Sequence, residues 1–238
     1  MAEPLLSLEG VTAGYGQIQV LWGMDLVVYP GEVVALVGSN GAGKSTLLRT
    51  ISGLLRPNSG SIRFDGANIG GERPDIALKA GIAHVPEGRR LFRGLTVRDN
   101  LMLGAYLRAD KSEIARDLEW VFELFPILRE RQRQDATTLS GGEQQMCAVG
   151  RGIMSRPRLL MIDELSLGLS PRMVEHLGEA LIALNKAGQT ILLVEQDVMT
   201  AFDLSHRAYI IENGRVARGG ISAELAKDPT VSEAYLSI

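Results

Sequence analysis

The chain predicts an α/β fold: a mainly parallel sheet, an antiparallel β subdomain near the N-terminus and an inserted helical subdomain. Three observations carry this. Val33 to Val37 is an unbroken, largely β-branched apolar run that leads straight into a glycine-rich turn and a helical segment from about Lys44, as expected of a strand covered on both faces. Further short apolar runs, at 62–64, 81–85, 159–162, 191–194 and 208–211, are separated in several places by helical stretches, the alternation of a parallel-sheet domain. Between about Thr96 and Ser155 no buried-strand signal occurs.

The elements follow in order. From Leu5 to Val28 the apolar pattern is short and alternating, interrupted by Gly14 and Gly16, which reads as edge-type antiparallel strands before a turn at Pro30-Gly31. In the middle region Ile114, Leu118, Val121, Phe122 and Phe125 keep helical spacing up to Pro126. A second helix is expected near Ser140, with Met146, Val149, Ile153 and Met154 along one side; a third carries Val174, Leu177, Leu181 and Leu184 and stops at Gly188. The expected organisation is one domain over 1–238, with its core at 1–87 and 157–238 and the helical subdomain at 88–156.

Composition narrows the functions. At 238 residues the chain can bury a full core. A formal charge of −3 and a pI near 5.7 argue against a nucleic-acid groove as the main surface. The single Cys147 can form neither an internal disulfide nor a thiolate metal cage, which suits a reducing compartment. No apolar run reaches the roughly 18 residues of a spanning helix. Met1 to Gly10 lacks the basic and apolar regions of a secretory signal.

Chemistry concentrates in three stretches. Gly38-Ser39-Asn40-Gly41-Ala42-Gly43-Lys44-Ser45, followed by Thr46, matches the phosphate-binding loop pattern between a buried strand and a helix. There the glycines let backbone N–H groups curl around phosphate oxygens, Lys44 supplies a cation to the β and γ phosphates, and Ser45 offers a hydroxyl to Mg²⁺. Leu159 to Ile162 ends in Asp163-Glu164 at the C-terminal end of a strand, where open α/β sheets place ligands. Asp163 is the candidate Mg²⁺ holder and Glu164 the candidate general base; by itself such a pair is more often a helix cap. Leu139-Ser140-Gly141-Gly142-Glu143-Gln144-Gln145 precedes a helix. Ser140 can cap that helix, or the two glycines can leave backbone donors open to a γ-phosphate, and within one subunit nothing brings this second anion site to Lys44.

The phosphate loop, the Leu139 to Gln145 segment and the strand ending at Asp163-Glu164, in that order along the chain, resemble the nucleotide-binding subunit of an ABC transporter, and the match covers essentially the whole chain. The resemblance implies ATP and Mg²⁺ as cofactors and a head-to-tail pairing with a second ATPase subunit, identical or sibling, in which Ser140, Gly141, Gly142 and Glu143 act in trans. It further implies transmembrane permease partners, a substrate-binding protein acting indirectly, no nucleic acid, and a peripheral place on the cytoplasmic face of the membrane. Tyr15 occupies the position where the family stacks an aromatic ring on adenine. Glu87 stands where most relatives carry Gln in a metal-facing loop, and Gln196 where most carry the switch His. Both substitutions, with Ser166-Leu167-Gly168-Leu169, resemble the second ATPase subunit of importers for branched-chain (hydrophobic) amino acids. Alternatives are an importer for another small solute such as urea or amides, a soluble non-transport ABC ATPase, and a phosphate-loop kinase. Gln196 can hydrogen-bond a phosphate or water but does not titrate near neutrality. The chain departs from the family at Leu165, where Pro usually stiffens the loop, and at Ser170, where Asp is usual.

His84, His176 and His206 have no partner at metal-ligand spacing and read as structural, and Cys147 reads as a packed thiol.

Overall fold

The structure, a computed structural model, describes residues 3–231; positions 1–2 and 232–238, which include the start of the Met1 to Gly10 stretch and the close of the expected domain, lie outside the described residues. The chain opens with an antiparallel pair, β1 (Leu6–Tyr15) and β2 (Ile18–Val28). Next comes β3 (Val33–Val37), buried at every position, followed by α1 (Lys44–Ile51). Then follow β4 (Ser59–Phe64), β5 (Ala67–Asn68), α2 (Pro74–Ala80) and β6 (Ile82–Val85). Helices α3 (Val97–Leu103), α4 (Lys111–Leu124), α5 (Pro126–Glu130) and α6 (Gly141–Ile153) intervene before β7 (Leu159–Asp163). The chain continues with α7 (Pro171–Lys186), β8 (Thr190–Glu195), α8 (Val198–Leu204), β9 (Arg207–Glu212), β10 (Arg215–Ile221) and α9 (Ser222–Leu225).

Two sheets result. One is antiparallel, ordered β2-β1-β4-β5; the other is ordered β10-β9-β3-β8-β7-β6, parallel except for β10 at its edge. Two expectations need correction. β1 is interior, flanked by β2 and β4, so only β2 of the first hairpin is an edge. The run at 62–64 belongs to β4 and pairs antiparallel with β1, not within the parallel sheet. Its burial alternates, Ile62 and Phe64 inside with Arg63 outside, which is the pattern of a half-covered antiparallel strand.

The parallel sheet divides the core by its pleat. Val33, Leu160, Ile162, Ile191 and Leu193 face a cluster shared with the inserted helices and α7. Their neighbours Val34, Leu36, Leu159, Met161, Leu192 and Val194 face α1 and the antiparallel sheet. Local chemistry starts the helices: Thr96 and Asp99 form a reciprocal cap on α3, Asp110 accepts from the backbone of Ser112 and Glu113 on α4, and Pro171 opens α7. Among the described residues no helix is long and apolar enough to cross a membrane.

Candidate nucleotide site

The parallel strands deliver the candidate residues to one edge of the sheet. β3 ends at Val37, and the loop that follows turns at Gly38 with φ 152° and enters α1 from Gly43 with φ 105°. A Cβ at Gly38 would collide with the Ile211 carbonyl oxygen, so only glycine lets the loop lie this close to β9. Lys44 is buried, and its Nζ donates to the carbonyls of Gly38 (2.6 Å) and Ser39 (3.1 Å), which ties the loop to its own helix. Burial lowers the Lys44 pKa, while the Glu164, Asp163 and Glu195 carboxylates oppose that.

The adjacent strands β7 and β8 bring the acidic groups. Ser45 Oγ donates to Asp163 Oδ1 at 2.9 Å. Asp163 is 2% exposed, and burial, followed by the Glu164 and Glu87 charges, pushes its pKa up to about 6 against the Ser45 hydrogen bond and the Arg49 charge. Glu164 has φ 58°, its Oε1 accepts from Gln196 Nε2 at 2.6 Å, and its Oε2 is buried with no hydrogen-bond partner among the described residues. A part-buried hydroxyl–carboxylate pair crowded by two further carboxylates suits a hard divalent cation that phosphate oxygens also coordinate. Among the described residues no group of three or more His, Cys, Asp or Glu forms a metal cage of its own.

These groups line a cleft of about 580 Å³, walled by Asn40 to Thr46, Glu87, Glu164 and Gln196 together with Val20 and Leu167. Tyr15 lies at the end of β1 outside that lining, its hydroxyl accepting from Arg49 Nη1 at 3.0 Å. Ser140, Gly141, Gly142 and Glu143 do not line the cleft. Ser140 and Glu143 instead form a reciprocal cap at the start of α6, Ser140 N donating to Glu143 Oε2 at 2.8 Å. Gly142 packs so closely on Met173 of α7 that a Cβ would strike the methionine's methyl group.

Two further groups are not among the sequence candidates. Glu195, the last residue of β8, is 1% exposed and accepts from Ser166 through both carboxylate oxygens. Burial raises its pKa, and the Ser166 hydrogen bonds oppose that. Arg151 on α6 donates to the carbonyls of Arg90 (2.8 Å) and Arg89 (3.1 Å), holding the turn after Glu87. Of the residues read as structural, Cys147 is fully buried with its thiol pushed up to about 12, and His206 Nδ1 accepts from Val33 N at 3.0 Å.

A phosphate loop after the central strand, with carboxylates from two neighbouring strands beside it, defines a nucleotide-binding ATPase. The chain belongs to the ABC transporter family, whose description matches residues 21–166. It is 46% identical to the high-affinity branched-chain amino acid transport ATP-binding protein BraG of Pseudomonas aeruginosa, over 98% of this chain and 99% of that one. It is 38% identical to the probable branched-chain amino acid transport ATP-binding protein LivF of Archaeoglobus fulgidus, over 93% and 94% of the two chains. Among solved structures, the ATP-binding cassette MJ1267 superposes with a TM-score of 0.88 at 24% identity, covering 98% of this chain and 99% of that one. A dimeric bacterial ABC transporter cassette, MJ0796, superposes at 0.82 with 25% identity, covering 91% and 98%. The chain is thus an ABC ATPase that couples ATP hydrolysis to transport.

Proposed function

We propose that this chain is the ATP-hydrolysing subunit of an importer for branched-chain or other hydrophobic amino acids, bound to permeases at the cytoplasmic face of the membrane. The observation that carries the hydrolytic part is the meeting of Ser45 with Asp163 and of Glu164 with Gln196 beside the phosphate loop. The solute class rests on the names of the similar transport ATP-binding proteins. Division into a core at 1–87 and 157–238 and a helical subdomain at 88–156 is supported by the helices that separate β6 from β7.

In the proposed mechanism the loop from Gly38 to Gly43 presents backbone N–H groups to the phosphates, and Lys44 turns its ammonium from Gly38 and Ser39 toward them. Ser45 and Asp163, with Glu87 at the rim, are the residues that would hold Mg²⁺, which neutralises charge on the β and γ phosphates when bound. Glu164 accepts a proton from the attacking water as its oxygen bonds the γ-phosphorus and the bond to the bridging oxygen breaks. Gln196 holds the Glu164 carboxylate and senses the γ-phosphate without carrying a proton itself. Tyr15 would stack on the adenine.

Ser140 to Glu143 would complete the cleft of a second ATPase subunit, which accords with their absence from the lining of their own chain's cleft. A groove of about 510 Å³ between core and inserted helices, lined by Pro86, Arg90, Phe92, Leu103 and Tyr106, is the proposed permease contact. The Glu164→Gln variant tests the reading: it keeps ATP binding, loses nearly all turnover and accumulates as an ATP-bound dimer on size-exclusion chromatography. A variant that stays monomeric in ATP or turns over normally would refute it.

A further inference from the structure

We propose that Glu195 is a positioning residue for hydrolysis, holding the turn from Glu164 to Ser166 in place through a buried bridge to Ser166. The inference rests on Glu164 as the base and concerns what keeps it aimed. Glu164 has φ 58°, the left-handed region, which a side chain-bearing residue keeps only where its surroundings impose it. The end of β8 imposes it three times. Val194 O accepts from Glu164 N at 3.0 Å, Gln196 Nε2 donates to Glu164 Oε1 at 2.6 Å, and Glu195 accepts from Ser166 N at 3.0 Å and Ser166 Oγ at 2.7 Å.

The bridge occupies the part of the loop where the usual proline is replaced by Leu165. Leucine cannot set φ, so the turn is fixed by what surrounds it: Leu165 is wholly buried, and Ser166 is clamped by Glu195. A carboxylate buried at the end of an otherwise uncharged strand is a costly choice, and here both its oxygens go to one residue of the turn. Glu195 does not line the cleft and therefore acts through Ser166. Its charge also reaches Lys44, so a test has to separate charge from bridge. A glutamine does so, because its Oε1 can accept from Ser166 N while its Nε2 donates to Ser166 Oγ, keeping both links without the charge.

The experiment measures ATP turnover and ATP affinity for the full chain in its transporter complex, as wild type and as Glu195→Ala, Glu195→Gln, Ser166→Ala and Glu164→Gln. Glu195→Ala is expected to lower kcat about tenfold or more while KM for ATP stays within about twofold, because Glu195 hydrogen-bonds to Ser166 and does not line the cleft. Glu195→Gln restores kcat to within about threefold of wild type, and Ser166→Ala, which keeps the N–H link, falls between. A wild-type kcat in Glu195→Ala, an ATP affinity that falls in step with kcat, or a Glu195→Gln as slow as the alanine variant would each overturn the proposal. Should Glu195→Ala fail to fold, Ser166→Ala carries the same kcat-against-KM split, and full activity there overturns it equally. Failure of the underlying reading looks different: Glu164→Gln would then hydrolyse at the wild-type rate.

Discussion

His84 lies in β6 with Nδ1 3.1 Å from the Ser52 hydroxyl and a buried Nε2 that has no hydrogen-bond partner among the described residues. Burial, helped by the Arg49 charge, pulls its pKa down to about 4, so the folded protein holds it neutral while the unfolded chain titrates near the ordinary value of 6.5. A depressed pKa stabilises fully above the unfolded value, and that stability is lost as pH falls from about 6.5 to about 4. Urea unfolding across that window is expected to show the wild type losing about 3 kcal/mol more than His84→Gln. Equal losses would mean that the imidazole is not held neutral. Lys44, Ser45, Asp163 and Glu164 were legible in the sequence because their signals are local: a glycine pattern, and carboxylates at the end of an apolar run. Glu195 also ends an apolar run, yet its burial depends on Ser166, 29 positions away, and no spacing rule shows that.

At the scale of elements, α6 reaches the cleft through the turn after Glu87. Gly88, Arg89 and Arg90 have φ of 78°, 64° and 46°, three left-handed residues in succession, two of them with side chains. Arg151 fixes the turn by donating to two of its carbonyls and lies 5.4 Å from the centre of the Phe92 ring. The Arg89 guanidinium meanwhile rests on Gly141, where an added Cβ would lie 3.1 Å from it. Glu87 is thereby linked to both ends of α6. Arg151→Met keeps the bulk and removes the donors; it is expected to cost about 2 kcal/mol and to speed tryptic cleavage at Arg89 and Arg90 several-fold under native conditions. Unchanged cleavage would show that the turn holds itself. Helical periodicity made α4 and α7 readable, because each buries one stripe, whereas α6, buried without a break from Gln145 to Gly150, was placed by its start near Ser140. The turn was not readable, since consecutive left-handed arginines have no sequence signature and depend on a helix some 60 positions further on.

Across the whole molecule, the parallel sheet places β3, β8 and β7 side by side, so the loop after β3 and the carboxylates ending β7 and β8 meet at one edge. The alternation of apolar runs and helices foretold this sheet, while pairing partners stayed hidden wherever a strand was short and half-covered, as for β4. The capped start of α6 does not line the cleft of its own chain, and in the proposed head-to-tail pair each cleft combines Lys44 of one subunit with Ser140 of the other. A closed pair of identical subunits has two such composite sites. Lys44→Ala and Ser140→Arg are each expected to abolish turnover. Mixed in equal amounts they regain activity, because a mixed pair holds one doubly damaged cleft and one with both Lys44 and Ser140 intact. Random pairing leaves about a quarter of all clefts intact, so turnover of the mixture is expected near a quarter of wild type. If each subunit completed its own cleft, no combination of the two variants would regain any activity, and phosphate release from the mixture distinguishes the two arrangements.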